Sequence, residues 1–198
     1  MNPKEIIEQI AKEKRCQFDS GNDLRNALRV IVDKLNSQET HFLLELIQNA
    51  DDALKGAEKN NPYRLSFFLE QDRLIIQNTG RPFDGNDVRV LSSVGDSHKD
   101  PDQIGHFGIG FKSVFRICNY PEIRSGGFSF RYNAEEETWI VPEWLDTPLE
   151  KYDKEPTTFV LPFKEPARHF ELLKKEIEQL DQRILLFLNH LRCIESDR

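Results

Sequence analysis

The chain reads as an α+β fold, a two-layer α/β sandwich with helices over a mixed, mostly antiparallel sheet. Three observations predict it: helical apolar spacing early in the chain, short β-rich segments separated by turns through the middle, and a second apolar periodicity near the end.

The elements follow in order. Residues 1–14 are charged and helical in pattern, and 23–35 carry Leu24, Ala27, Leu28, Ile31 and Leu35 at helical spacing. A stronger helix is expected over 40–57, stopped by "KNNP". Segments 64–70 and 73–78 flank the polar turn at Gln71 and Asp72 and predict a hairpin. From 81 to 110 the chain turns polar and rich in Gly, Ser and Asp, apart from a short helical piece at 88–93, which marks a functional loop or lid. A short helix over 111–118 and strands at 122–124, 127–132, 138–142 and 157–163 complete the body. Finally Phe170, Leu173, Ile177, Leu180, Ile184, Phe187, Leu191 and Ile194 alternate steps of three and four, which predicts one amphipathic helix over 166–198. Leu172, Leu185, Leu186 and Leu188 broaden its apolar face. That face suits docking on the domain, contact with a downstream region, or pairing in a homodimer.

With 198 residues the chain has room for one core and no second complete domain. A net charge of −7, from 34 acidic and 27 basic residues, disfavours nucleic acid and anionic lipid as partners. Cys16, Cys118 and Cys193 are odd in number and far apart, which fits structural thiols in a reducing compartment. No apolar run reaches the length of a membrane span and no signal peptide is evident, so a cytoplasmic location is expected.

Two segments carry chemistry. "GHFGIGFKS" is glycine-rich but is not a Walker loop, because Phe111 separates Gly110 from Lys112 and Ser113. It is not a dinucleotide fingerprint either, since Ser113 stands where a third glycine is needed. In "HFLLELIQNADDALKGAEK", Leu43, Ile47, Ala50, Leu54 and Ala57 form the core face, while Glu45, Gln48, Asn49 and Asp52 form a short polar stripe opposite. A solvated helix face is the plain reading of such a stripe. One carboxylate and one carboxamide also suit magnesium, which keeps most of its waters beside nucleotide phosphates.

Three segments in this order resemble the GHKL superfamily, whose ATP site is the Bergerat fold. "ELIQNADDA" is similar to its N box, "QNTGRPF" to its first glycine box and "GHFGIGFKSVF" to its second, while "TTFVLPF" resembles the closing strand with its threonine. The likeness is strongest to sacsin-type and heat-shock-chaperone-like N-terminal modules and covers residues 45–163.

The resemblance implies a role for each matching residue. Glu45 would orient or deprotonate the attacking water, and Asn49 would ligate Mg2+. Asp52 and Ala53 would line the nucleotide pocket. Asn78 stands where the chaperones have an aspartate that accepts from the adenine amino group, Thr157 would support that contact, and Gly80 would form the turn behind the base. Gly105, His106, Phe107, Gly108, Ile109, Gly110 and Phe111 would form the phosphate loop, with Phe111 anchoring the helix that follows. Ser97 and Lys99 fall in the lid, and each reads equally as a phosphate contact or an exposed loop group. Lys112 is another cation near the loop, although a helix lysine is usually solvated. Asn78 and Pro82 depart from the chaperone pattern, the first weakening the adenine contact and the second stiffening the turn.

The expectation is a GHKL-type domain over 1–165, binding ATP or ADP with Mg2+, hydrolysing ATP slowly, and closing a lid that controls a partner protein or downstream domain. Alternatives are a nucleotide-gated interaction module that does not hydrolyse and, with less support, a histidine kinase.

Overall fold

The computed structural model describes residues 1–19, 26, 30, 42–52, 54, 63–93, 109–136, 138–147 and 156–197. The helix expected over 23–35, the ends of the one expected over 40–57, and residues 94–108 of the segment expected to form a lid lie outside the described residues.

Helix α1 is Pro3–Asp19. Asn2 and Glu5 bond reciprocally across its start, each backbone N–H reaching the other's side-chain oxygen at 2.9 Å. This capping box, with Pro3 behind it, fixes where the helix begins. Ile7 and Ile10 point into the core. The helix lies against strands β4 (Phe128–Asn133) and β5 (Thr138–Trp144).

Among the described residues the sheet has seven strands in the order β5-β4-β3-β6-β2-β1-β7. The expected hairpin is present as β1 (Arg64–Leu69) and β2 (Arg73–Asn78), with Phe67 opposite Ile76. Next come β3 (Glu122–Ser125), β6 (Thr157–Pro162) and β7 (Cys193–Asp197). Every pairing is antiparallel except that of β1 with β7. Between β3 and β4, Gly126 and Gly127 take φ of 59° and 84°, the pair of positive values that a two-residue hairpin turn needs.

Period-two alternation sends Leu65, Phe67, Leu74, Ile76, Ile123, Phe130, Tyr132 and Leu161 to one face, where they join the helices in a single core. Helix α2 (Phe42–Asp52) adds Leu43, Leu46, Ile47 and Ala50 to it. The opposite face of the central strands bears Ser66, Gln77, Thr158 and Arg124. Helices packed over one apolar face of a mostly antiparallel sheet make the two-layer sandwich that was expected.

Two local expectations need correction. The helical piece placed at 88–93 is helix α3, Gly85–Leu91, which starts earlier because Asp84 caps it. Asp84 accepts from the N–H groups of Asn86 and Asp87, and Asp87 accepts in return from the Asp84 N–H. Arg81 then clamps Asp87 with two bonds of 2.6 and 2.7 Å, so the start of the presumed lid is a pinned element.

The single helix expected over 166–198 is instead three elements. Helix α5 (Pro166–Glu178) follows the short α4 (Ile109–Lys112), a 3-10 segment spans Gln182–Phe187, and β7 closes the series. The helix ends at Glu178 with Gln179 as its C-cap, and Asp181 then caps the start of the 3-10 segment by accepting from the Arg183 N–H at 2.9 Å. The open edge of β1 then supplies partners for residues 193–197 in parallel register, with Leu65 opposite Ile194. The apolar spacing was real, since Phe170, Leu173, Ile177, Leu180 and Ile184 all pack on the core, but it does not require one continuous helix.

Candidate functional site

The polar stripe sits on α2, which runs beside α4 and the 3-10 turn Ser113–Arg116. Glu45 and Asn49 lie one turn apart along α2, and Asp52 is its last residue. Ala53 falls outside the described residues. Beyond it Leu54 is 1% exposed, and its Cδ2 lies 2.8 Å from where a side chain on Gly80 would begin. That approach explains the glycine of the "NTG" turn: any Cβ there would meet both Leu54 and the Asn78 carboxamide oxygen, at 3.2 Å.

Asn78 ends β2, Thr157 begins β6 and Ser125 ends β3. The register puts Asn78 opposite Thr157, and Thr157 opposite Ser125. All three are buried, Thr157 completely. The Ser125 hydroxyl donates to the Pro156 carbonyl at 3.1 Å and accepts from the Phe83 N–H at 2.8 Å. Its single proton being used, the 2.5 Å contact between the two hydroxyls is best served by Thr157 as donor. Thr157 thereby keeps lone pairs to accept from another group. The Asn78 Oδ1 accepts from the Gly80 N–H at 3.1 Å, and its Nδ2 has no bonding partner among the described residues. A buried row of hydroxyl and amide groups at one end of the sheet can recognise a flat polar heterocycle through both donors and acceptors.

Of the glycine-rich loop, Ile109 and Gly110 open α4, while Gly105, His106, Phe107 and Gly108 lie outside the described residues, as do Ser97 and Lys99. Phe111 is 4% exposed and packs against Phe159 of β6, Phe115 and Tyr132, with ring centroids 5.8, 6.5 and 6.0 Å away. It pins α4 over the sheet next to the closing strand.

Lys112 points into the core instead of into solvent. It is 1% exposed, and its ammonium donates to the carbonyls of Leu91 at 2.6 Å and Trp139 at 2.8 Å. The Nζ also stands 4.5 Å from the centroid of the Tyr132 ring. Burial pulls its pKa down to about 7, with a smaller push from the Lys14 charge. With both carbonyls and the ring engaged, the side chain belongs to the core joint.

Sequence reasoning missed Ser125, which has no local signal because its partners come from the β3–β6 register. It also missed Leu54 as the residue facing Gly80. Among the described residues no group of three or more His, Cys, Asp or Glu is gathered as a metal cage. An apolar cleft of about 590 Å³ lies between the start of α2 and the 3-10 segment, lined by Leu43, Leu180, Ile184 and Phe187 among others. None of the motif residues lines it.

No family model matches the chain. Among curated proteins it is 34% identical over 199 residues to Protein NO VEIN of Arabidopsis thaliana, covering 86% of this chain and 7% of that protein. It is 30% identical over 130 residues to the chaperone protein HtpG of Helicobacter pylori, covering 52% of this chain and 21% of HtpG. Human sacsin is 32% identical over 124 residues, 56% of this chain and 3% of sacsin. The chain thus spans a small part of each of these relatives. With the two-layer sandwich and the order of the boxes, these likenesses support a sacsin- and HtpG-like ATPase relationship for the chain.

Proposed function

We propose that the chain binds ATP and ADP with Mg2+, hydrolyses ATP slowly, and uses the nucleotide to control a partner protein or a further domain in a chaperone-like manner. The observation that carries this reading is the buried row Asn78, Thr157 and Ser125 at the sheet end, beside the close approach of Gly80 to Leu54. Most of the row is bonded within the protein, and the Asn78 amide and the Thr157 lone pairs are the groups it leaves to meet a ligand.

In the proposed division of labour, Asn78 and Thr157 read the adenine edge, with the free Asn78 amide and the Thr157 lone pairs as the available groups. Gly80 lets the base lie close to the backbone. Residues Gly105 to Gly110 cradle the phosphates ahead of α4, and Ser97 and Lys99 approach them on lid closure. Asp52 and Ala53 line the pocket. Asn49 supplies a carboxamide oxygen to the metal, and Glu45 orients the water and takes its proton. When bound, Mg2+ would neutralise charge on the phosphate oxygens.

Three free cysteines suit a reducing cytoplasm. Among the described residues no helix is long and apolar enough to cross a membrane.

Calorimetric titration with ADP and a non-hydrolysable ATP analogue, each with and without Mg2+, tests the proposal. Micromolar binding strengthened by Mg2+ is expected. Absence of binding by both nucleotides would overturn it.

A further inference from the structure

We propose that Asp51 is a positioning residue that couples the nucleotide helix α2 to strand β7, so that nucleotide occupancy tightens β7 on the sheet. The inference rests on the nucleotide reading above.

Asp51 is the penultimate residue of α2 and is 3% exposed. Its carboxylate accepts three consecutive backbone N–H groups: Oδ2 from Asn189 at 2.8 Å, and Oδ1 from His190 at 2.8 Å and Leu191 at 2.7 Å. Hydrogen bonds to an ionised acceptor are the strong ones, and the buried Leu191 amide, with the part-buried amides of Asn189 and His190, would be left without a partner in its absence. The placement also runs against local preference. A carboxylate at a helix C-terminus faces the negative end of the dipole, and the last turn of α2 has no basic residue to offset it. The captured amides supply what the helix does not.

The captured turn leads directly into β7. Leu191 is fully buried, the Arg192 N–H donates to the Tyr63 carbonyl at 3.1 Å, and Cys193 then pairs with Arg64. β7 is a five-residue strand that, among the described residues, is bonded on one side only. Its position therefore depends on the β1 ladder and on the turn that Asp51 holds.

On the other side, Asp51 lies two residues after Asn49 and adjoins Asp52, the proposed metal and pocket residues. A ligand that orders the end of α2 therefore orders the turn, and by linkage a firmly held turn favours the ligand.

The test is amide hydrogen exchange on the parent chain with and without ADP and Mg2+, beside calorimetry on the same samples. Exchange at Asn189, His190, Leu191 and across β7 is expected to slow by at least about threefold on binding. In Asp51→Asn, one acceptor oxygen is replaced by a donor, so ADP-dependent protection of β7 should vanish while protection within α2 persists. ADP binding should weaken in parallel. Equal loosening of β7 in that variant with and without ADP, its ADP-dependent part unchanged, would mean a purely structural role. ADP binding with unchanged exchange at 189–197 in the parent overturns the coupling alone and needs no variant. No binding at all overturns the nucleotide reading and the coupling with it.

Discussion

The Lys112 ammonium donates at 2.6 Å to the Leu91 carbonyl, tying the helix behind the glycine-rich loop to the last residue of α3. Tyr132 closes the same joint, accepting the cation on its ring face and bonding Ser92 through its hydroxyl at 2.9 Å. Burial lowers the Lys112 pKa from 10.5 to about 7, so between those values the unfolded chain holds the proton more tightly than the folded one. Stability should therefore rise as pH increases from about 7, with a slope of up to about 1.4 kcal/mol per pH unit. Burial pushes the Cys118 thiol and the Tyr132 phenol up, and the unfolded thiol, with an ordinary value of 9.0, begins to ionise about one unit below it, so the useful window is about 7 to 8. Urea unfolding across that window should show the slope in the parent and lose it in Lys112→Met. Equal slopes would mean that Lys112 does not titrate there.

Gly80 is expected to tolerate no side chain while Leu54 is present. A Cβ at Gly80 would stand 2.8 Å from the Leu54 Cδ2, and Leu54 is packed too tightly to yield freely. Gly80→Ala should cost about 1–3 kcal/mol. Leu54→Ala costs more alone, about 2–5 kcal/mol, but makes room for the new methyl. Denaturant midpoints of the two single variants and the double should give a favourable coupling energy. Simple additivity would place the strain elsewhere.

Much of this fold was legible because strands and helices announce themselves by period. The β1–β2 hairpin, the strands β3 to β6 and the polar stripe on α2 follow from alternation or helical spacing within one segment. Long-range pairing does not. Nothing near residue 194 says that it will lie beside Leu65, and the steps of three and four from Phe170 onward are equally consistent with a helix that stops at Glu178. Lys112 shows the same limit, since its surroundings come from α3, β4 and β5. At the site, Asn78 and Thr157 were named from motifs, whereas Ser125, which uses up its proton on Pro156 and leaves Thr157 to donate, depends on register alone.

Glu45 and Asn49, one turn apart on α2, should separate binding from turnover. Asn49→Ala is expected to weaken nucleotide binding mainly when Mg2+ is present, because only the metal-dependent part passes through its carboxamide. Glu45→Ala should bind nucleotide like the parent while losing hydrolysis, a general base contributing about 100-fold or more. Titration and phosphate release on both variants decide it. Equal parental affinity with and without Mg2+ would remove Asn49 from the metal, and undiminished release in Glu45→Ala would remove the base.

Thr157→Val distinguishes a base-reading hydroxyl from a structural one. The substitution keeps the shape of a fully buried side chain and deletes its bond to Ser125. Ser125 retains Phe83 and Pro156 as partners, so the fold should lose only about 1 kcal/mol. A ligand that donates to Thr157 loses its acceptor outright, and affinity for ADP should fall by up to about tenfold, the equivalent of one such bond. A thermal shift of a few degrees with this loss of affinity supports the assignment. If stability drops by that amount while ADP binds as before, Thr157 serves the sheet, and the adenine contact must be sought at Asn78.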